Sequence, residues 1–201
     1  MTHNFEQSLQ NERSKADFAD KFYTERFRAS DIVRYNSDSD IDMDFQRKDI
    51  DVSLVIDGKR YYLSEKFREK DYGDMYLEMY SKYPKTQGWM DSGSPDVVVY
   101  FTPQAVYRII FKELQSFCLE TLFPQIPAAW LQEIYNSRKT IVSKTLPIDN
   151  FPVRINLIQA HNKPTTGSSW ATIGISIPFD VLRKFGVKIR KYETPTTVKD
   201  M

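Results

Sequence analysis

The chain is expected to form an α/β (α+β) fold, a central mixed β-sheet with flanking helices, and three observations carry that expectation. A first segment without Pro or Gly repeats apolar residues at helical spacing. A middle segment alternates apolar and polar residues on both sides of an Asp-Gly pair. Helix-like and strand-like segments then interleave with no repeat and no linker long enough to divide the chain. A length of 201 residues matches one domain over 1–201, and an apolar content of 41% is enough to fill its core.

The first segment predicts a helix from about Asn4 to Phe27, with Phe5, Leu9, Ala16, Ala19, Tyr23 and Phe27 on one stripe. Glu12 lies inside that stripe, because positions 9, 12 and 16 share a face. It either reaches solvent at the rim or aims its carboxylate at a polar site beneath the helix. "NSDSDIDMD" places Asp38, Asp40, Asp42 and Asp44 at alternate positions, which reads as an acidic edge strand or flap. It lacks the glycine and the distant glutamate of a calcium-binding EF-hand loop.

Ile50, Val52, Leu54 and Ile56 alternate with polar neighbours, and Asp57-Gly58 supplies a two-residue hairpin turn. The return strand runs from about Arg60 to Phe67. "DYGDMYLEMYSKY" reads as a helix with Leu77, Met79 and Tyr80 toward the core, "TQGWMDSGSPD" as a loop and "DVVVYF" as a buried strand. A strand over Val106 to Phe111 turns helical near Lys112. A further helix buries Ala128, Trp130, Leu131 and Ile134, "PFDVLRKFG" is a short helix ended by Gly186, and "VKIRKY" is a last strand.

Charge and cysteine usage narrow the class. A formal charge of +1 announces no strongly charged partner. The lone Cys118 cannot form an internal disulfide and reads as a buried inert thiol, so a reducing, cytoplasmic setting is expected. The start lacks the apolar core of a secretory signal, no run is long enough to span a bilayer, and His3 and His161 have no cysteine partners for zinc. Arg183, Lys184, Lys188, Arg190 and Lys191, with Lys59 and Arg60 at the hairpin tip, either contact phosphates or keep the surface soluble. Trp89 and Trp170 are loop-borne aromatics, either packing lids or stacking platforms.

The hairpin carries the chemistry. A two-residue loop puts Asp51 opposite Ser64 and Asp49 opposite Lys66, so Asp49, Asp51, Ser64, Lys66 and Arg68 share one face. Glu65 points to the other face unless a bulge re-aims it. Two carboxylates beside a lysine suit Mg²⁺ or Mn²⁺ together with a phosphate, since these hard cations take oxygen ligands and activate a bound water. A cross-strand Asp–Lys salt bridge on a solvated face accounts for the same spacing.

The order of these elements resembles the restriction-endonuclease-like, or PD-(D/E)XK, nuclease superfamily. In particular it is similar to small uncharacterised phage and bacterial members with a Gln-x-x-x-Ile-Asp-Val strand, an Asp-Glu-Lys strand end and a Gly-Trp loop. Gln46, Ile50, Asp51, Val52, Glu65, Lys66, Gly88 and Trp89 carry the likeness. It covers a nuclease-like core of about 5–111, leaving an elaboration over about 112–192 and a loose tail over 193–201. The resemblance implies a metal-dependent nuclease acting on DNA or RNA. In it Asp51 binds Mg²⁺ (or Mn²⁺), Glu65 or Ser64 completes the coordination, Lys66 positions the attacking water, Glu12 tunes the metal shell and Gln46 orients a ligand. One departure is Ser64, which stands where the motif places an acid. Either Glu65 serves through a strand distortion, or Asp49 or Glu12 compensates, or the fold is a catalytically degenerate module that binds nucleic acid or protein. The expected partner is nucleic acid, with a homodimer left open and no membrane.

Overall fold

The computed structural model describes residues 5–162 and 169–194, with side chains described from residue 14 onward. It is an α+β arrangement, as the sequence predicts, but built on two sheets rather than one central sheet. Helix α1 (Phe5–Phe22) continues into a π-helical turn, Tyr23–Phe27, which Arg28 closes in the left-handed region at φ 55°. Ala19 and Tyr23 of the predicted stripe are fully buried, joined by Phe22, while the Phe5 and Leu9 side chains lie outside the described ones. The described tail ends at residue 194, just past the last strand, and most of the segment expected to be loose lies outside the described residues.

The first sheet has the order β1 (Ser30–Arg34), β2 (Val52–Ile56), β3 (Lys59–Phe67), β6 (Val97–Phe101), β7 (Ala105–Ile110), β11 (Ile189–Glu193). Every neighbouring pair is antiparallel except β3 and β6, which makes the sheet mixed. The Asp57-Gly58 turn works as its residue types require, with both residues at positive φ, 50° and 77°. The hairpin register pairs Val52 with Leu63 and Ile56 with Lys59, the predicted one.

The second sheet, order β5 (Thr86–Gln87), β4 (Asp74–Lys82), β10 (Trp170–Pro178), β9 (Phe151–Asn162), β8 (Ile141–Ile148), is antiparallel throughout. Here the expected helix over "DYGDMYLEMYSKY" is corrected to strand β4. Met75, Leu77 and Met79 are buried while Tyr76 and Glu78 are not, a period of two that pairs the segment with β10. The acidic flap is corrected as well. Residues Asp40–Arg47 form helix α2, capped by the Ser39 hydroxyl accepting the Asp42 amide, with Asp40 and Asp42 favourable at the positive N-terminal end. The "TQGWMDSGSPD" loop contains β5 and one helical turn, α3 (Trp89–Ser92).

The remaining helices, α4 (Phe111–Ser116), α5 (Ala128–Asn136) and α6 (Phe179–Lys184), join the main core. That core lies between the sheets, bringing Val98, Tyr100, Tyr107 and Ile109 against Leu77, Leu157, Ile173 and Ile175. A smaller core on the opposite face of the first sheet packs Val52, Leu54, Leu63, Val97 and Val99 under α1. Among the described residues no helix is long and apolar enough to cross a membrane. Cys118 is buried, and burial pushes its thiol pKa up, consistent with an inert core residue.

The second core rests on Phe22, which meets Tyr23, Phe27, Phe101 and Tyr192 edge-on at centroid distances of 5.2 to 6.0 Å. Phe22→Ala is expected to lower unfolding stability by about 3–5 kcal/mol in urea titration, the range for emptying a well-packed aromatic site.

Candidate active site

The polar cluster forms where pairing between β2 and β3 runs out. Asp49 sits in the left-handed region at φ 56°, a conformation aspartate tolerates better than most residues, and its amide donates to the Gln46 carbonyl. The turn carries its carboxylate back over β3. There Oδ2 accepts the Ser64 hydroxyl at 2.7 Å, and Oδ1 accepts the Lys66 ammonium at 2.7 Å. Asp51 accepts the backbone amide of Glu65 on Oδ2 at 2.7 Å. Asp49, Asp51, Ser64 and Lys66 are therefore brought together.

Lys66 is held from three sides. Its ammonium pairs with Asp49, lies 4.9 Å from the centre of the Trp89 ring, and acts electrostatically on Asp51 and Glu78. Glu78, which the sequence reading missed, belongs to this cluster. It projects from β4, and the Trp89 amide donates to its carboxylate. Gly88 makes the approach possible, since a Cβ there would lie 2.4 Å from the Glu78 carbonyl oxygen. Reading "MYLEM" with a period of two would have marked Glu78 as polar on the face opposite Met75, Leu77 and Met79.

Electrostatics set this cluster apart from a simple surface salt bridge. Burial raises the Asp51 pKa against the lowering effect of Lys66, and burial likewise raises that of Glu78, with Asp49 adding to both. Asp49, Asp51 and Glu78 share one nearby ammonium, so the cluster holds an excess of negative charge. Perturbed carboxylates grouped around a lysine are a feature of functional sites.

Glu65 goes elsewhere. It points through the sheet to the α1 side, where its side chain is 6% exposed. Tyr23 donates its hydroxyl to Oε1 at 2.7 Å, and Arg34 donates to Oε2 at 2.8 Å. Arg34 also binds Asp20 at 2.7 Å and the Ala16 carbonyl at 3.1 Å, tying β1 and β3 to α1. Burial raises the Tyr23 pKa and Glu65 adds to it. Burial pulls the Arg34 guanidinium down, but its bonds to Glu65 and Asp20 raise it on balance. The strand distortion that would bring Glu65 to the Lys66 face does not occur. Gln46 is occupied in α2, donating to the carbonyls of Tyr35 and Ser37. The Glu12 side chain lies outside the described ones.

Three of the seven basic residues singled out by sequence are ion-paired locally, and Lys59, Lys184, Arg190 and Lys191 lie over aromatic rings instead. Arg60 is tied to Asp31, Arg183 to Asp180 and Lys188 to Glu113. Trp89 packs on Phe111 as well as on Lys66, and Trp170 carries the Lys82 ammonium at 5.0 Å. Among the described residues no group of three or more His, Cys, Asp or Glu side chains is disposed to hold a metal ion. Comparison with protein-family models, curated proteins and solved structures found no significant match.

The raised carboxylates define a pH dependence. A carboxylate whose folded pKa exceeds its unfolded value binds more protons in the native state, so stability falls as pH rises through the folded value. The loss begins near the ordinary values of 3.8 for Asp51 and 4.5 for Glu78. Asp51→Asn with Glu78→Gln is therefore expected to flatten the decline in denaturation midpoint between about pH 4 and neutrality. An unchanged pH profile in the double variant would contradict the assigned electrostatics.

Proposed function

We propose that the chain is a Mg²⁺-dependent phosphodiesterase acting on nucleic acid, with its reaction centre at Asp49, Asp51, Lys66 and Glu78. The observation that carries this reading is the ammonium of Lys66 set among three carboxylates, two of them raised in pKa. The sequence likeness to PD-(D/E)XK nucleases supports it through Asp51 and Lys66, and Asp49 supplies a carboxylate beside Ser64, where the motif has an acid.

The donor chemistry suits a hard divalent cation, because every candidate ligand is a carboxylate and their charge exceeds what Lys66 neutralises. Asp49 is committed through both oxygens, so Asp51 would hold the ion, with water or substrate phosphate completing its shell, and Glu78 acts on the site through Lys66. Bound there, Mg²⁺ would supply an activated water and stabilise charge growing on phosphorus. Lys66, steadied by Asp49 and the Trp89 face, orients that water and offsets negative charge on the phosphate. Glu65 contributes indirectly: its backbone amide fixes Asp51, and its side chain anchors β3 to α1 and β1.

A second reading, a nucleic-acid-binding or protein-interaction module without catalysis, is favoured by one observation. Ser64 and Lys66 both donate to Asp49, closing the site on itself without a cation. Calorimetric titration with Mg²⁺ separates the two, since a phosphodiesterase binds the ion in the absence of substrate and the closed module does not.

On labelled DNA and RNA with Mg²⁺ or Mn²⁺, Asp51→Ala and Lys66→Ala are each expected to reduce cleavage at least about 100-fold, the scale of losing a positioned acid–base or electrostatic group. Equal rates in wild type and both variants would exclude this reaction centre. Under the second reading wild type is inert, and Ser64→Asp is expected to introduce cleavage by restoring an acid where the nuclease motif has one.

A further inference from the structure

Beyond Lys66, β3 and β4 diverge and their outward side chains follow one another in order. Lys66 acts on Glu78, and two residues on, just past the end of β3, the Arg68 guanidinium lies 5.9 Å from the centre of the Tyr76 ring. Lys70 and Asp74 then line a cavity of about 640 Å³ opening from the same gap. It adjoins a second cavity of about 450 Å³, beneath α1, that shares Lys15, Phe67 and Arg68 with it. The floor is the face of the second sheet turned away from the core, where Asn156 and Ser176 pair across β9 and β10. Gly174 keeps it flat, because a Cβ there would come within 2.7 Å of the Tyr76 ring.

Three features of this cleft describe a ligand. Lys15, Arg68 and Lys70 bring cationic heads to it, against the carboxylates of Glu69 and Asp74. Tyr72 stands at its rim with 65% exposure and Ile141 with 56%, an open apolar edge on which a planar ring can rest. Asp74 Oδ1 is closed off from solvent and takes no hydrogen bond among the described residues. That oxygen lies beneath the cleft surface, while Asp74 itself lines the cleft, so its carboxylate is placed to accept a ligand N–H there. The ligand that meets all three conditions is anionic at one end, flat in the middle and rich in N–H donors at an exposed edge. An unpaired nucleotide has that form, whereas a base pair has its donor edge consumed.

We propose that this cleft holds an unpaired nucleotide of a single-stranded nucleic acid, with phosphates on Arg68, Lys70 and Lys15 and the base edge donating to Asp74. The inference rests on the reading of the chain as a nucleic-acid enzyme and names the form of its substrate. It makes Lys66 and Glu78 the end of a track that continues along Arg68 and Tyr76, so a strand seated in the cleft leads its backbone to the reaction centre.

The test is fluorescence anisotropy of a labelled twelve-nucleotide single strand against its duplex, with the full chain in EDTA so that no metal-dependent cleavage intervenes. The single strand is expected to bind at least about tenfold tighter than the duplex. Arg68→Gln with Lys70→Gln is expected to weaken single-strand binding about tenfold or more. It should also reduce the slope of log K against log salt by about 1.4, two phosphate contacts at about 0.7 each. Asp74→Ala is expected to weaken binding while its thermal midpoint holds or rises, an outcome a purely structural carboxylate would not give. Equal affinity for duplex and single strand, no binding, or binding unchanged in the variants overturns the proposal. Intact binding results without Mg²⁺-dependent cleavage remove the phosphodiesterase reading and leave the cleft. Cleavage that persists while the cleft variants bind like wild type removes the cleft and leaves the reaction centre.

Discussion

Asp49 is the point on which the polar centre depends. It is a single side chain in a left-handed turn, receiving a hydroxyl and an ammonium from alternate residues of one strand. Because Ser64 and Lys66 are two apart, they lie on one face of β3 and can reach the two oxygens of one carboxylate. The two contacts hold Lys66 on the face of β3 that the Trp89 ring covers. Trp89 and Glu78 arrive from the second sheet's side only because Gly88 allows backbone to touch backbone. Local strain at one aspartate and absence of a side chain at one glycine together build a site across two sheets.

The two faces of β3 divide the labour. On the α1 side, Glu65, Tyr23, Arg34 and Asp20 form a hydrogen-bonded group that is mostly buried and internally satisfied. Buried charges of this kind are tolerated when paired and hydrogen-bonded, and removing one partner leaves the rest stranded. On the other side, burial raises the pKa values of Asp51 and Glu78 by more than the nearby Lys66 lowers them. One face is settled and rigid, while the other retains unspent negative charge.

Much of this was legible in the residues. The α+β class, the Asp-Gly hairpin with its register, the Val97–Phe101 strand and the helix that buries Leu131 and Ile134 follow from periodicity and turn chemistry. The contact of Asp49 with Lys66 was also expected, although a left-handed turn before β2, and not continued strand pairing, delivers it. Residues 74–82 were not legible, since Leu77, Met79 and Tyr80 fit a helical stripe while Met75, Leu77 and Met79 fit a strand. Pairing with β10, more than ninety positions away, decides between them, and no local pattern contains that information. The same error hid Glu78. The acidic run at 38–44 misled in the opposite way, because its alternating aspartates are also an N-cap region, with Ser39 as the cap.

Adjacency in sequence and adjacency in space part company at Glu65-Lys66. In a strand, neighbours point to opposite faces, so an acid directly before a lysine cannot join it without a bulge, and β3 pairs with β6 through Ser64, Glu65 and Lys66 without one. The acid that belongs with Lys66 must therefore come from position 64 or from another element. Position 64 is a serine, and its hydroxyl donates to Asp49. A carboxylate thus stands one hydrogen bond beyond the place the nuclease motif assigns to its acid, reached through the preceding turn. Glu78 approaches the same lysine from the other sheet, so the negative charge around Lys66 comes from three segments: the turn at Asp49, the residue leading into β2 and strand β4. The Gly88 contact lies within the second sheet, where it lets the chain after β5 press on β4 and brings Trp89 beside Glu78 and Lys66.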